Sequence, residues 1–132
     1  GGQNVAALRK ELATAMHQHA GLVRDATGLN QASQTIERVA DAYKTAGVTS
    51  HNQDYNFGYL HYLELGYLLD AAQAIVASAA ARRESRGVHY RTDFPNADPT
   101  QGAQHHLVTL ASGSPIVTQR PVEMSRWQPS SN

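Results

Sequence analysis

Three stretches of this chain repeat apolar residues at alternating spacings of three and four, and that rhythm limits the fold more than any other feature. Val5, Leu8, Leu12, Ala15, His19 and Leu22 follow it first, with one histidine in the row. Leu29, Ala32, Ile36, Val39, Tyr43 and Ala46 follow it next, then Leu65, Leu68, Ala72, Ile75 and Ala79. On a helix such spacing draws one narrow stripe, as in helices that pack on each other in a bundle. "GLVRDATG" and "AGVTSHNQDYN" punctuate the stretches. Asp25 or Thr27 is placed to cap the second helix, Asp54 or Asn56 the third. The third helix is expected from about Asn56 to about Ser85, roughly 45 Å at 1.5 Å per residue. Its centre, "GYLLDAAQAIVASAAA", is apolar nearly all round. Two partner helices leave part of it uncovered, so a further neighbour from outside the chain is expected.

After Pro95 the character changes. "NADPTQGAQ" reads as a loop, and "HHLVTL" and "PIVTQRPV", joined by "ASGS", as the two short strands of a hairpin. The tail "EMSRWQPSSN" is polar apart from Met124 and Trp127. The expected fold is all-α: an antiparallel three-helix, spectrin-repeat-like bundle over residues 3–95. A C-terminal loop, a small β-hairpin and an irregular tail follow over residues 96–132.

Several function classes are disfavoured at this stage. The formal net charge is zero with seven neutral histidines, so no global field recruits nucleic acid or an anionic membrane. Cysteine is absent, which removes disulfides, thiolate metal sites and cysteine nucleophiles. No apolar run reaches the roughly 20 residues of a membrane span. The opening "GGQNVAALRK" lacks the basic-then-apolar order of a signal peptide, and its Gly-Gly reads as a cloning scar on a piece of a longer chain. His17 and His19 lie about 200° apart on a helix, and His105 and His106 on opposite faces of a strand, so neither pair is set to share a metal. Neither GxSxG nor GxGxxG nor a phosphate loop occurs. No catalytic, cofactor-binding or metal-ligating residue is therefore assigned.

The stretch "RRESRGVHYRTDFP", residues 82–95, stands apart. Gly87 suits a left-handed helix stop, with Arg82, Arg83 and Arg86 in the last turn where the helix dipole favours cations. Capping does not explain His89, Arg91 and Asp93 with Val88 and Phe94 among them. Such alternation of charge and bulk suits a docking surface, since arginine forks pair with carboxylates and stack on rings. The residues alone leave capping and docking level, with a catalytic loop behind them.

Glu84, Ser85, Arg86, Gly87, His89, Arg91, Asp93, Phe94 and Pro95 match the E-S-R-G-x-H-x-R-x-D-[FY]-P signature of one family. In that respect the chain resembles the C-terminal domain of the succinate dehydrogenase and fumarate reductase flavoproteins. "LRKELATAMHQHAGLVRDATGLNQA", "LELGYLLDAAQAIVASAAARRESRG", "HHLVTL" and "RPVEM" are similar to other parts of that domain. The resemblance implies a parent that interconverts succinate and fumarate with FAD, and a fragment that binds no cofactor and is inactive alone. It implies as partners the flavin-binding and capping domains of the same subunit and an iron–sulfur subunit, with no nucleic acid and no direct membrane contact. It implies a cytoplasmic location, the parent peripheral on the inner face of the cell membrane through partner subunits. Glu84, Arg86, His89, Arg91 and Asp93 are then domain-docking residues. Arg86 and Arg91 are expected to meet carboxylates or carbonyls of the flavin domain, and His89 to bond across the same junction. Arg86→Ala or Arg91→Ala is accordingly expected to cost the isolated chain about 0.5 kcal/mol or less. The L-aspartate oxidases share the helices and a form of the signature without an arginine matching Arg91, and rank second. A free-standing helical interaction module, and a small enzyme using Glu64, His61 or His89, are the readings without the resemblance.

Overall fold

A computed structural model of the chain describes residues 4–46, 57–123 and 125. The candidate caps Asp54 and Asn56, the opening Gly-Gly, Met124 and Trp127 lie outside the described residues. The elements are α1 (Val5–His19), β1 (Val23–Arg24), α2 (Ala26–Thr45), α3 (Phe57–Ala81), β2 (Tyr90–Arg91), α4 (Pro99–Gly102), β3 (Gln104–Ala111) and β4 (Ser114–Pro121). The fold is mostly helical with a small antiparallel hairpin, and the single-turn α4 is an addition to the expected set.

Side-chain caps set where two long helices begin. Asn4 Oδ1 accepts the Ala6 N–H at 2.9 Å, and Asp25 Oδ1 accepts the Gly28 N–H at 2.6 Å. Each satisfies an amide that the first turn leaves without a carbonyl. The core is built from Leu8 and Leu12 of α1, Leu29, Ala32, Ile36 and Val39 of α2, and Leu65, Leu69, Ala72, Val76 and Ala79 of α3. At the far end of α2, Tyr43 stacks on Tyr62 with ring centroids 4.3 Å apart. The stripe of α2 is the expected one. That of α3 is rotated: Leu69 and Val76 point inward, while Leu68 and Ile75 are 40% and 48% exposed. A helix apolar on nearly every side carries no polar face to mark the outside, so spacing alone does not choose the buried row.

The helix ends fix the directions. Arg9 and Glu64 pair at 2.9 Å, joining the early turns of α1 and α3. The start of α2 lies instead beside the end of α3, as the bonds of Asp93 and Arg91 below show. So α2 runs against the other two.

Two expectations about α3 change. It ends at Ala81 rather than Ser85, so Arg82, Arg83 and Arg86 lie beyond its last turn. Part of its expected outside neighbour also belongs to this chain. The hairpin β3–β4 packs along it, and residues 113–115 reach Gln73, Val76 and Ala77 of α3 beside Ser33 and Ile36 of α2, around a cavity of about 210 Å³. The hairpin pairs eight residues on each side, from Gln104↔Pro121 to Ala111↔Ser114. Ser112 (φ 52°) and Gly113 (φ 80°) close it, the two positive φ values of a type I′ turn. By length and mean hydropathy α3 would also suffice to cross a membrane, although Glu64 and Asp70 break its apolar run. Its inward row is packed in the core just described.

Candidate functional site

Every residue of the signature falls within one junction, where the end of α3, the start of α2 and the foot of the hairpin meet. Gly87 does not stop the helix. Arg86 and His89 exchange both backbone hydrogen bonds, at 2.8 and 3.0 Å, around Gly87 and Val88. Gly87 has φ +58°, in a turn with the positive-then-negative φ order of type II′. The chain needs its glycine for this turn, six residues past the helix.

Arg91 caps the end of α3. Its side chain is 2% exposed, and Nη1 donates to the carbonyls of Ala79 (2.9 Å), Ala80 (3.3 Å) and Arg82 (3.4 Å). These lie at the end of the helix, where carbonyls lack amide partners and the dipole is negative. The other edge of the guanidinium forks onto Asp93, Nε to Oδ1 and Nη2 to Oδ2, both at 2.7 Å. Asp93 Oδ2 also accepts the Ala26 N–H at 3.0 Å, at the positive start of α2. One ion pair thus neutralises opposite ends of two neighbouring helices. The Arg91 guanidinium, with the Ala26 amide assisting, outweighs partial burial and holds the Asp93 carboxyl down to about 2. Phe94 places its ring 5.1 Å from the Arg91 guanidinium carbon.

Glu84 does the same work toward the hairpin. It is fully buried. Oε1 accepts from Arg82 Nη1 and from Arg86 Nε (3.3 Å); Oε2 accepts from Arg86 Nη2 (3.3 Å) and from the Asp98 N–H (2.7 Å). Burial pushes its carboxyl up, but the Asp98 amide and the two guanidiniums outweigh it and hold it below the usual range. Arg82 carries the link onward, donating to the carbonyls of Gln101 (3.2 Å) and Gln104 (2.8 Å). Asp98 caps α4 through the Thr100 N–H at 2.8 Å. Ser85 Oγ donates to the Phe94 carbonyl at 2.7 Å and accepts the Arg91 N–H at 2.9 Å, pinning the turn from inside.

His89 faces β1. Arg24 Nη1 lies 2.8 Å from its Nδ1, and the Arg82 carbonyl 3.0 Å from its Nε2. β1 and β2 pair in parallel, Val23 beside Tyr90 and Arg24 beside Arg91.

The five expected docking residues are thus brought together, and their hydrogen-bonding groups are engaged within the chain. The Arg91 side chain is spent within the chain, where it bridges two helix ends, so its loss is expected to cost more than the sequence suggested. Arg86 is half-exposed and keeps some access to solvent. Three partners were missed. Asp98 stands in "DPT", the pattern of a cap before a proline-led helix, and was legible on that ground. Arg82 was read only as a dipole cation, and nothing local marks Arg24.

Beside the exposed Arg83, Arg86 and Thr92, the junction turns a group of apolar side chains outward. Val88 is 78% exposed and Leu22 70%, and Val23 and Tyr90 are exposed beside them. Among the described residues no cluster of three or more histidine, aspartate or glutamate side chains is placed to hold a metal ion.

The chain is 38% identical over 130 residues to the fumarate reductase flavoprotein subunit of Mycobacterium tuberculosis, covering 98% of the chain and 22% of that subunit. It is 33% identical over 126 residues to the succinate dehydrogenase flavoprotein subunit of Rickettsia bellii, covering 95% and 21%. A solved structure of E. coli quinol fumarate reductase with a mutation in FrdA superposes with a TM-score of 0.93 at 26% identity, over 99% of this chain and 23% of that one. The chain therefore spans about a fifth of the length of the relatives it matches. Residues 9–132 match the family described as fumarate reductase flavoprotein C-term, and with a match of that extent the chain belongs to it.

Proposed function

We propose that this chain serves as the C-terminal accessory domain of an FAD-dependent succinate dehydrogenase or fumarate reductase flavoprotein subunit. The observation that carries the reading is a match along nearly the whole chain to subunits bearing those names. In this reading the parent interconverts succinate and fumarate, pairs with an iron–sulfur subunit and sits peripherally on the cytoplasmic face of a membrane. The three long helices act as one bundle of the spectrin-repeat kind within residues 3–95, with α4 and the foot of the hairpin clamped onto it through Glu84 and Arg82.

The residues described do not fit FAD. A dinucleotide site needs a glycine-rich turn between a strand and a helix that opens on bare amides. Here β1 leads into α2, but the carboxylates of Asp25 and Asp93 already occupy its first amides and repel a pyrophosphate. FAD then belongs to the rest of the subunit, and no step of its chemistry falls on this chain.

Docking onto that remainder is the domain's role in this reading, and the junction suits it. The charged signature fixes the shape of a ridge, and Val88, Tyr90, Leu22 and Val23 supply an apolar contact surface. Replacing the matching segment of the M. tuberculosis subunit with residues 4–132 tests the function. Retained flavin absorbance and fumarate reduction support it; their loss with the segment folded removes it. Val88→Asp tests the ridge. It should leave the melt of the 132-residue chain within about 0.5 kcal/mol, as exposed substitutions do, yet lower flavin retention in the chimera.

A further inference from the structure

His89 joins parts of the chain that lie 65 residues apart in sequence. Its two partners have fixed polarity. The Arg24 guanidinium only donates, so the Nδ1 it faces at 2.8 Å must accept and carries no proton. The Arg82 carbonyl only accepts, so Nε2 at 3.0 Å must carry one. The ring is thereby held neutral, in a single tautomer. A second proton would sit on Nδ1 and face the Arg24 N–H, two donors head to head.

The surrounding charges oppose that proton as well. Arg24 from β1, Arg82 from the end of α3 and Arg91 from β2 all act on the ring, and His106 of β3 lies within electrostatic reach. The nearby carboxylates are committed, Asp93 to Arg91 and Glu84 to Arg82 and Arg86.

We propose that His89 is a proton-sensitive latch. Neutral, it holds the α1–α2 connection against the end of α3; protonated, it releases Arg24 and loosens β1 from β2. The bond that reports the change is the Thr92 N–H to the Arg24 carbonyl, 2.9 Å. The direction of titration agrees. Burial, with the three arginines, lowers the His89 imidazole below its usual value against the opposing pull of the Arg82 carbonyl. A lowered value means stabilisation that is present above the free histidine pKa and lost as pH falls. The latch depends on the junction's geometry and not on the parent's activity.

The test is hydrogen exchange at the Thr92 amide of the 132-residue chain, as protection factors at about pH 7.5 and about pH 5.5. Protection should fall on acidification by up to about tenfold, the bound for a ring that titrates near 6.5 once opened. His106→Gln should keep the fall and His89→Gln should abolish it. No fall in the unaltered chain, or an equal fall in His89→Gln, overturns the latch. Nitrogen chemical shifts of the unaltered ring at about pH 7.5 give a reading that needs no variant. Nε2–H with bare Nδ1 is expected; the opposite tautomer or an imidazolium overturns it.

Discussion

Arg91 shows how one side chain can hold several elements. Its guanidinium meets three helix-end carbonyls and a two-toothed carboxylate, beside a ring. Removing one member of a buried pair leaves the other charge uncompensated, at a cost of roughly 3–5 kcal/mol. Arg91→Ala should therefore destabilise the 132-residue chain by that order in urea melts. Arg91→Lys should recover little, since an ammonium cannot fork onto Asp93 while reaching the carbonyls of Ala79 and Ala80. A loss of about 0.5 kcal/mol or less would return Arg91 to the docking role first expected of it. At this scale the sequence showed which residues belong together but not which way they face. Val88 and Arg91 are three apart in one signature, and the charged one is buried while the apolar one is exposed. Polarity predicts the reverse, and only the orphan carbonyls at the end of α3 explain the inversion.

The turn at Gly87 belongs to the element scale. A Cβ added there would meet nothing within 4 Å, so the cost of a side chain is conformational alone. With φ at +58°, Gly87→Ala should cost about 1–2 kcal/mol in a denaturant melt, the usual penalty of the left-handed region. An unchanged midpoint would show that the turn flips to another type without loss. Elements were legible where polar and apolar faces contrast. α2 has that contrast, and its expected row, from Leu29 to Val39, is the buried one. α3 lacks it, so its length was overrun and its rotation misjudged. The four residues after Ala81 kept helix-forming character, and their true conformation is dictated by partners about ten to twenty positions downstream, which no local pattern announces.

Across the whole molecule, three groups of the junction titrate in the same sense. Asp93 is depressed to about 2, and Glu84 and His89 are lowered. A folded-state value below the unfolded one gives stability that is full above the unfolded pKa and is lost as pH falls. The melting temperature should therefore fall in two stages on acidification. The first begins below about pH 6.5, where histidine titrates, and the second lies between about pH 4 and pH 2, where the carboxylates do. A melting temperature flat from neutrality to about pH 3 would show that these groups are coupled to the fold far less than their contacts imply.

The sequence distances spanned by these contacts set an order in time. Thr92 reaches Arg24 across 68 residues and Asp93 reaches Ala26 across 67, whereas the hairpin joins near neighbours. Closing a longer loop costs more chain entropy before any contact offsets it. The helices and the hairpin can therefore pack before the polar contacts across the ends of α2 and α3 are made, and the Arg91–Asp93 clasp should shut last. Asp93→Asn then should speed unfolding and leave refolding almost unchanged in stopped-flow traces, since a contact absent from the transition state acts on the unfolding arm alone. Refolding slowed in proportion to the lost stability would place the clasp in the nucleus instead.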